Sequence, residues 1–138
     1  MALLTASEYS GIRAALDVSL DADMLPDSII EEPIFGPAAE LWVMQQDPLW
    51  STRTGTAQRH LLNALTFYAA SLIAPSMPAI LSETQGPYAY SRANVDWQKR
   101  ANELSGRAEE QIAAVLAPSQ SVTRYPTFMT RAPGQRGR

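Results

Sequence analysis

The 138-residue chain is 46% hydrophobic and contains no cysteine, which supplies apolar material for the core of one domain and excludes a disulfide framework or a thiolate metal site. Its formal charge of −3 conceals ends of opposite sign: residues 1–34 carry seven acids against Arg13 alone, a net −6, while residues 117–138 carry Arg124, Arg131, Arg136 and Arg138 and no acid. The longest apolar-rich run, residues 61–75, is broken by Asn63, Thr66 and Ser71 and falls short of the roughly 20 residues of a bilayer span, so a core helix and no membrane partner are expected.

The start, "MALLTASE", has no basic segment and almost no apolar one, so no secretory signal is expected, and the lack of cysteine is compatible with a reducing cytoplasm. Thr5-Ala6-Ser7-Glu8 has the spacing of a capping box, in which hydroxyl and carboxylate satisfy each other's orphan backbone donors. The helix that follows is expected to run to about Leu16, with Tyr9, Ile12 and Leu16 on one face. "DVSLDAD" reads as an acidic connection, and "MLPDSIIEEP" as a short helical piece with Pro26 as its first residue. A further helix is predicted from about Pro37 to Gln46, apolar around most of its surface (Ala38, Leu41, Trp42, Met44), with Asp47-Pro48 ending it.

From about Thr56 to Ala74, Leu61, Leu65, Tyr68 and Leu72 recur at spacings of four, three and four, and Leu62, Ala69 and Ile73 widen the stripe. That pattern predicts a central helix buried on two sides and stopped by Pro75 and Pro78. In "AILSETQGPYAYSRA", residues 79–93, Ile80, Ser82 and Thr84 alternate with Leu81 and Glu83, Gly86-Pro87 breaks the chain, and Tyr88 and Tyr90 follow at period two, so a β-hairpin is expected. Two strands alone are marginal in water and would need support from the bundle or from another chain. Asn94 is the expected cap of a last long helix, whose Trp97, Ala101, Leu104, Ala108, Ile112 and Val115 form one face through to Leu116. The fold expected is therefore mainly α: a bundle of about four helices in residues 1–116, one hairpin at 79–93, and an extended C-terminal arm over 117–138.

That arm, "APSQSVTRYPTFMTRAPGQRGR", has no periodic apolar face and cannot fold by itself. It reads either as a loose terminus or as an arm that orders on a partner. Val122, Tyr125, Phe128 and Met129 among arginines favour the arm, because aromatic anchors beside Arg are typical of interaction hot spots.

Catalytic chemistry is poorly represented. The single histidine, His60, has no second His or Cys to complete a metal site, and no G-x-S-x-G, Walker or dinucleotide-binding phrase occurs. Glu31-Glu32 and Glu109-Glu110 have the placement of ordinary surface acids. No enzyme, cofactor or metal is expected. Nucleic-acid binding through the basic arm is a rival reading, since Arg124, Tyr125 and Phe128 would interleave charge with stacking rings. Against it, residues 1–116 carry a net −7 that repels phosphate, although such a body would suit the wall of a channel through which DNA passes without sticking. A helical protein-interaction module unrelated to any virus is a second alternative.

Several phrases in order resemble the head-to-tail adaptor (connector, or head-completion) proteins of tailed bacteriophages. They are "EYSGIRAAL" with Tyr9, Ile12, Arg13 and Leu16, "LPDSII" with Leu25, Pro26, Asp27 and Ile30, "AAEL" with Ala39 and Glu40, "ILSETQGPYAYS", and "DWQKRANEL" with Trp97, Ala101 and Leu104. The resemblance implies a structural subunit of a homo-oligomeric ring, usually of twelve copies, seated beneath the portal protein of the virion. Such a ring extends the channel for genomic DNA without sequence-specific contact and presents a platform to a neck or tail-side protein. It further implies assembly in the host cytoplasm and a C-terminal segment that docks on the portal, here through Val122, Arg124, Tyr125, Phe128, Met129 and Arg131. Glu83, Gln85, Pro87, Tyr88 and Tyr90 become the candidates for contact with a neighbouring subunit or the next ring.

Overall fold

The computed structural model describes residues 3–18, 20–85 and 95–116. Six α-helices occupy most of them: α1 (Ala6–Leu16), α2 (Asp27–Ile30), α3 (Gly36–Gln46), α4 (Gly55–Ile73), α5 (Met77–Gln85) and α6 (Trp97–Leu116). The protein is mainly α, and there is no β-strand among the described residues.

The capping box forms as the sequence predicts, with the Thr5 N–H donating to Glu8 Oε1 at 2.9 Å. Pro26 precedes the short α2 as its cap instead of opening it, a one-residue difference of the size expected at helix ends. The α6 stripe is read correctly, since Trp97, Ala101, Leu104, Ala108, Ile112 and Val115 are all buried. Its first turn is held by Asp96, whose Oδ1 accepts the Lys99 N–H at 3.0 Å, while the expected cap, Asn94, lies outside the described residues.

α4 is the central element, packing most extensively on α6 and also against α1 and α3. His60, early in α4, meets Gln111, late in α6, so the two helices run antiparallel and the end of α6 lies level with the start of α4. α3 folds back along α4, and Trp42 stacks on Tyr68 with ring centroids 4.0 Å apart and planes within 4°. One contiguous core runs from Leu3 to Val115 and draws on every helix.

The expected hairpin at 79–93 is corrected over its first half. Residues 77–85 are helical, with Met77, Ile80 and Leu81 buried and Thr84 half-buried. Those positions are i, i+3, i+4 and i+7, one face of a helix, and the period-two reading of Ile80, Ser82 and Thr84 mistook it for a strand. Thr84 strengthens the arrangement, its hydroxyl lying 3.0 Å from both the Ile80 and the Met24 carbonyls. The second half, residues 86–93, lies outside the described residues.

The two prolines do not stop the chain either. Pro75 falls in a 3₁₀ turn (Ala74–Ser76) and Pro78 in the first turn of α5, positions where a missing N–H removes no intrahelical bond. α4, the turn and α5 therefore form a 30-residue helical rod, Gly55–Thr84, long and apolar enough by length and composition to cross a membrane. More than half of its apolar window is buried inside the protein, as in a core helix.

Gly36, at the start of α3, marks the tightest approach in the fold. A Cβ there would stand 2.5 Å from the Ile30 carbonyl oxygen and 2.5 Å from a Leu4 methyl. Gly36→Ala is expected to destabilise the protein by about 1–3 kcal/mol, because the backbone of α2 cannot yield as a side chain can. Urea unfolding measures this, and a wild-type midpoint in the variant would contradict the close packing of α2 on α3.

Candidate functional site

Residues from three of the family-like phrases, Tyr9, Arg13, Leu25, Asp27 and Glu40, take part in hydrogen bonds that tie the first three helices together. Arg13 of α1, nearly buried, donates from Nε to the Leu25 carbonyl at 2.8 Å and from Nη2 to the Asp27 carboxylate at the start of α2. Tyr9 OH donates to Glu31 Oε2 at 2.9 Å, and the Leu4 N–H donates to Glu40 Oε2 of α3 at 2.8 Å. Burial pushes the Tyr9 hydroxyl above its ordinary pKa, and the Glu31 carboxylate it serves, with Asp27 and Glu40 nearby, adds to the effect. Together these groups staple α1, α2 and α3 into one unit. Their chemistry is that of a fold lock, in which each of these charged groups has an internal partner.

A second polar pair closes the connection from α3 to α4. The buried Asp47 accepts from Arg53 Nε at 2.8 Å and Nη2 at 2.9 Å, and from the Leu49 N–H at 3.2 Å. The Arg53 hydrogen bonds hold the Asp47 carboxyl below the usual range, outweighing burial, which acts in the opposite direction. A depressed folded-state pKa means that the unfolded chain takes up the proton first as pH falls. The stabilisation is complete above the ordinary Asp value of about 3.9 and is lost below it, as pH drops through the folded value. Wild type and Asp47→Asn are therefore expected to differ in urea midpoint at pH 7 and to converge under acid conditions below pH ~3.9. A gap that stays constant across this range would show that the Asp47 charge is not what stabilises the turn.

An open cleft of about 420 Å³ lies between α1 and α4. Ser7, Ser10, Gln58, Asn63 and Thr66 line it with hydroxyls and amides, and Arg59 contributes one cation. Ser7 is engaged, its hydroxyl donating to Glu8 Oε2 at 2.9 Å. His60 is half-buried and meets Gln111 Oε1 at 2.7 Å through Nδ1, an α4–α6 tie. Among the described residues no three His, Cys, Asp or Glu side chains gather as they would around a metal ion.

The surface of α3 carries an exposed face that the sequence does not single out. Pro37, Leu41 and Gln45, at i, i+4 and i+8, are all exposed and share one face without a charge. Leu41 is 56% exposed, with Ile34 at 65% just before the helix and Leu49 at 57% just beyond it. The signal was available in "LWVMQQ": a helix apolar all round has more apolar surface than one core contact can cover. Of the candidates for subunit contact, Glu83 is exposed on α5 and Gln85 is its last residue. Pro87, Tyr88 and Tyr90, and the proposed portal-docking set Val122, Arg124, Tyr125, Phe128, Met129 and Arg131, lie outside the described residues.

The class that fold and surface define is a mainly α protein with an internally locked polar network and, among the described residues, an exposed uncharged face on α3. No family model matches the chain, and no curated protein or solved structure matches it.

Proposed function

We propose that the protein is a structural subunit of a phage head-to-tail adaptor, a ring of copies seated under the portal that extends the DNA channel and joins the capsid to the neck or tail. The observation that carries this reading is the ordered set of phrases from "EYSGIRAAL" through "LPDSII" and "AAEL" to "DWQKRANEL", spread across the helical body at the spacing of that family. The charge distribution supports it. A body of net −7 is a poor surface for gripping DNA and a good one for letting it pass, while the arginine-flanked anchors Val122, Tyr125, Phe128 and Met129 suit clefts on a protein partner. Glu83, Gln85, Pro87, Tyr88 and Tyr90 are the proposed contact with a neighbouring subunit or the next ring.

Deleting residues 118–138 tests the reading, and Val115, the last core residue among those described, precedes the cut. The shortened protein is expected to keep its helical circular dichroism and to lose copurification with the portal. Undiminished portal capture would overturn the docking role. A salt-dependent affinity for DNA that disappears with the same deletion would favour the nucleic-acid reading instead.

A further inference from the structure

The rod from Gly55 to Thr84 is continuous in outline but not in its ladder of hydrogen bonds. Pro75 and Pro78 have no N–H to give, and the Met77 N–H reaches back only three residues, to the Ala74 carbonyl. A 3₁₀ stretch inside a long helix is a common place for a hinge. We propose that α5 pivots on this turn between two arrangements. In the one the structure shows, Thr84 ties the far end of α5 to Met24. In the other, α5 tilts, that tie opens, and the Trp97 indole N–H gains a carbonyl of the turn as its acceptor.

Two side chains, one at each end of α5, carry the proposal. Trp97 is 5% exposed, and its Nε1 has no hydrogen-bond partner among the described residues. A buried donor left unmet disfavours the arrangement that leaves it so. Two observations place it. Fourteen residues on from His60 is Ala74 and fourteen back from Gln111 is Trp97, so the antiparallel contact of those two helices sets Trp97 level with the turn. α6 also packs directly on the turn. The unmet donor therefore stands beside the pivot, where a change in the angle of α5 re-aims the backbone.

Thr84 stands at the other end, eight residues and about 12 Å beyond Ser76, so a small rotation at the turn is magnified there. Its hydroxyl lies 3.0 Å from both the Met24 and the Ile80 carbonyls, and its single proton serves only one of them fully at a time. When the tie to Met24 opens, the Ile80 carbonyl of its own helix keeps the proton, and no donor is orphaned. Met77, Ile80 and Leu81 are buried and stay in the core, which limits the motion to a tilt. One hydrogen bond at the tip is exchanged for one at the pivot, so the two arrangements lie close in free energy and a minor population of about 0.1–10% is expected.

The inference does not rest on the adaptor reading. Ser82 and Glu83 on α5 are exposed, and a partner seated on them shifts the balance by as much as it binds the two arrangements differently. The test is nitrogen-15 relaxation dispersion on the free, full-length protein, following the α5 amides and the Trp97 indole N–H with α1 as the rigid reference. Exchange on the microsecond-to-millisecond scale is expected in α5 and at Trp97 and not in α1. Trp97→Phe removes the unmet donor and is expected to lower the minor population about tenfold. Thr84→Val removes the tie to Met24 and is expected to raise it. Should Trp97→Phe fail to fold, Pro75→Ala, which restores an amide at the turn, takes its place and is expected to suppress the exchange. Flat profiles across α5 in the wild-type protein, or variants that move the exchange in the same direction, would overturn the proposal.

Discussion

Replacing Leu104 with alanine is expected to lower stability by about 2–5 kcal/mol, the largest single effect foreseen in the body of the protein. Leu104 is fully buried midway along α6, whose opposite face is polar and charged, so this helix is held almost entirely by the stripe it lays on α4. Removing three carbons there leaves a cavity between two long helices that cannot easily close, since other contacts fix their separation. For a domain of ordinary stability, about 5–15 kcal/mol, the loss is a large fraction of the total. The check is a urea titration in which the midpoint falls while the slope is unchanged. Leu41→Ala is the matched control on an exposed helix position, and a comparable drop there would show that burial is not what makes the loss at Leu104 large.

Arg13→Met is expected to cost about 2–3 kcal/mol although it keeps most of the side-chain volume. The carbonyl of Leu25, a fully buried residue, loses its guanidinium donor, and Asp27 loses the partner that ties α2 to α1. Lysine would not restore both bonds, because the two acceptors are held by different nitrogens of one planar group. A double-mutant cycle with Asp27→Asn isolates the pair, and effects that simply add would show that the two residues stabilise independently.

This second experiment bears on how the family-like phrases are understood. Tyr9, Arg13, Leu25, Asp27 and Glu40 belong to those phrases, and the structure uses them as staples between α1, α2 and α3. A motif of this kind specifies a fold more directly than a binding event. None of the residues proposed for portal or subunit contact is among these staples.

Much of the helical body was legible in the order of residues. The Thr5–Glu8 capping box marks a helix start, and the three- and four-residue spacings in α4 and α6 each describe a face that must be buried whatever covers it. What tertiary structure alone decided falls where local signals conflict or say nothing. Ile80, Leu81 and Thr84 fit either a strand or a helix, and contact with the core and with the Met24 carbonyl selected the helix. Pro75 and Pro78 signal a stop, yet at the opening of a new turn they cost no hydrogen bond, so the rod continues. The partners of Arg13 and His60 were equally out of reach, because a hydrogen bond between separate segments depends on how helices cross, and no short stretch of chain encodes that angle.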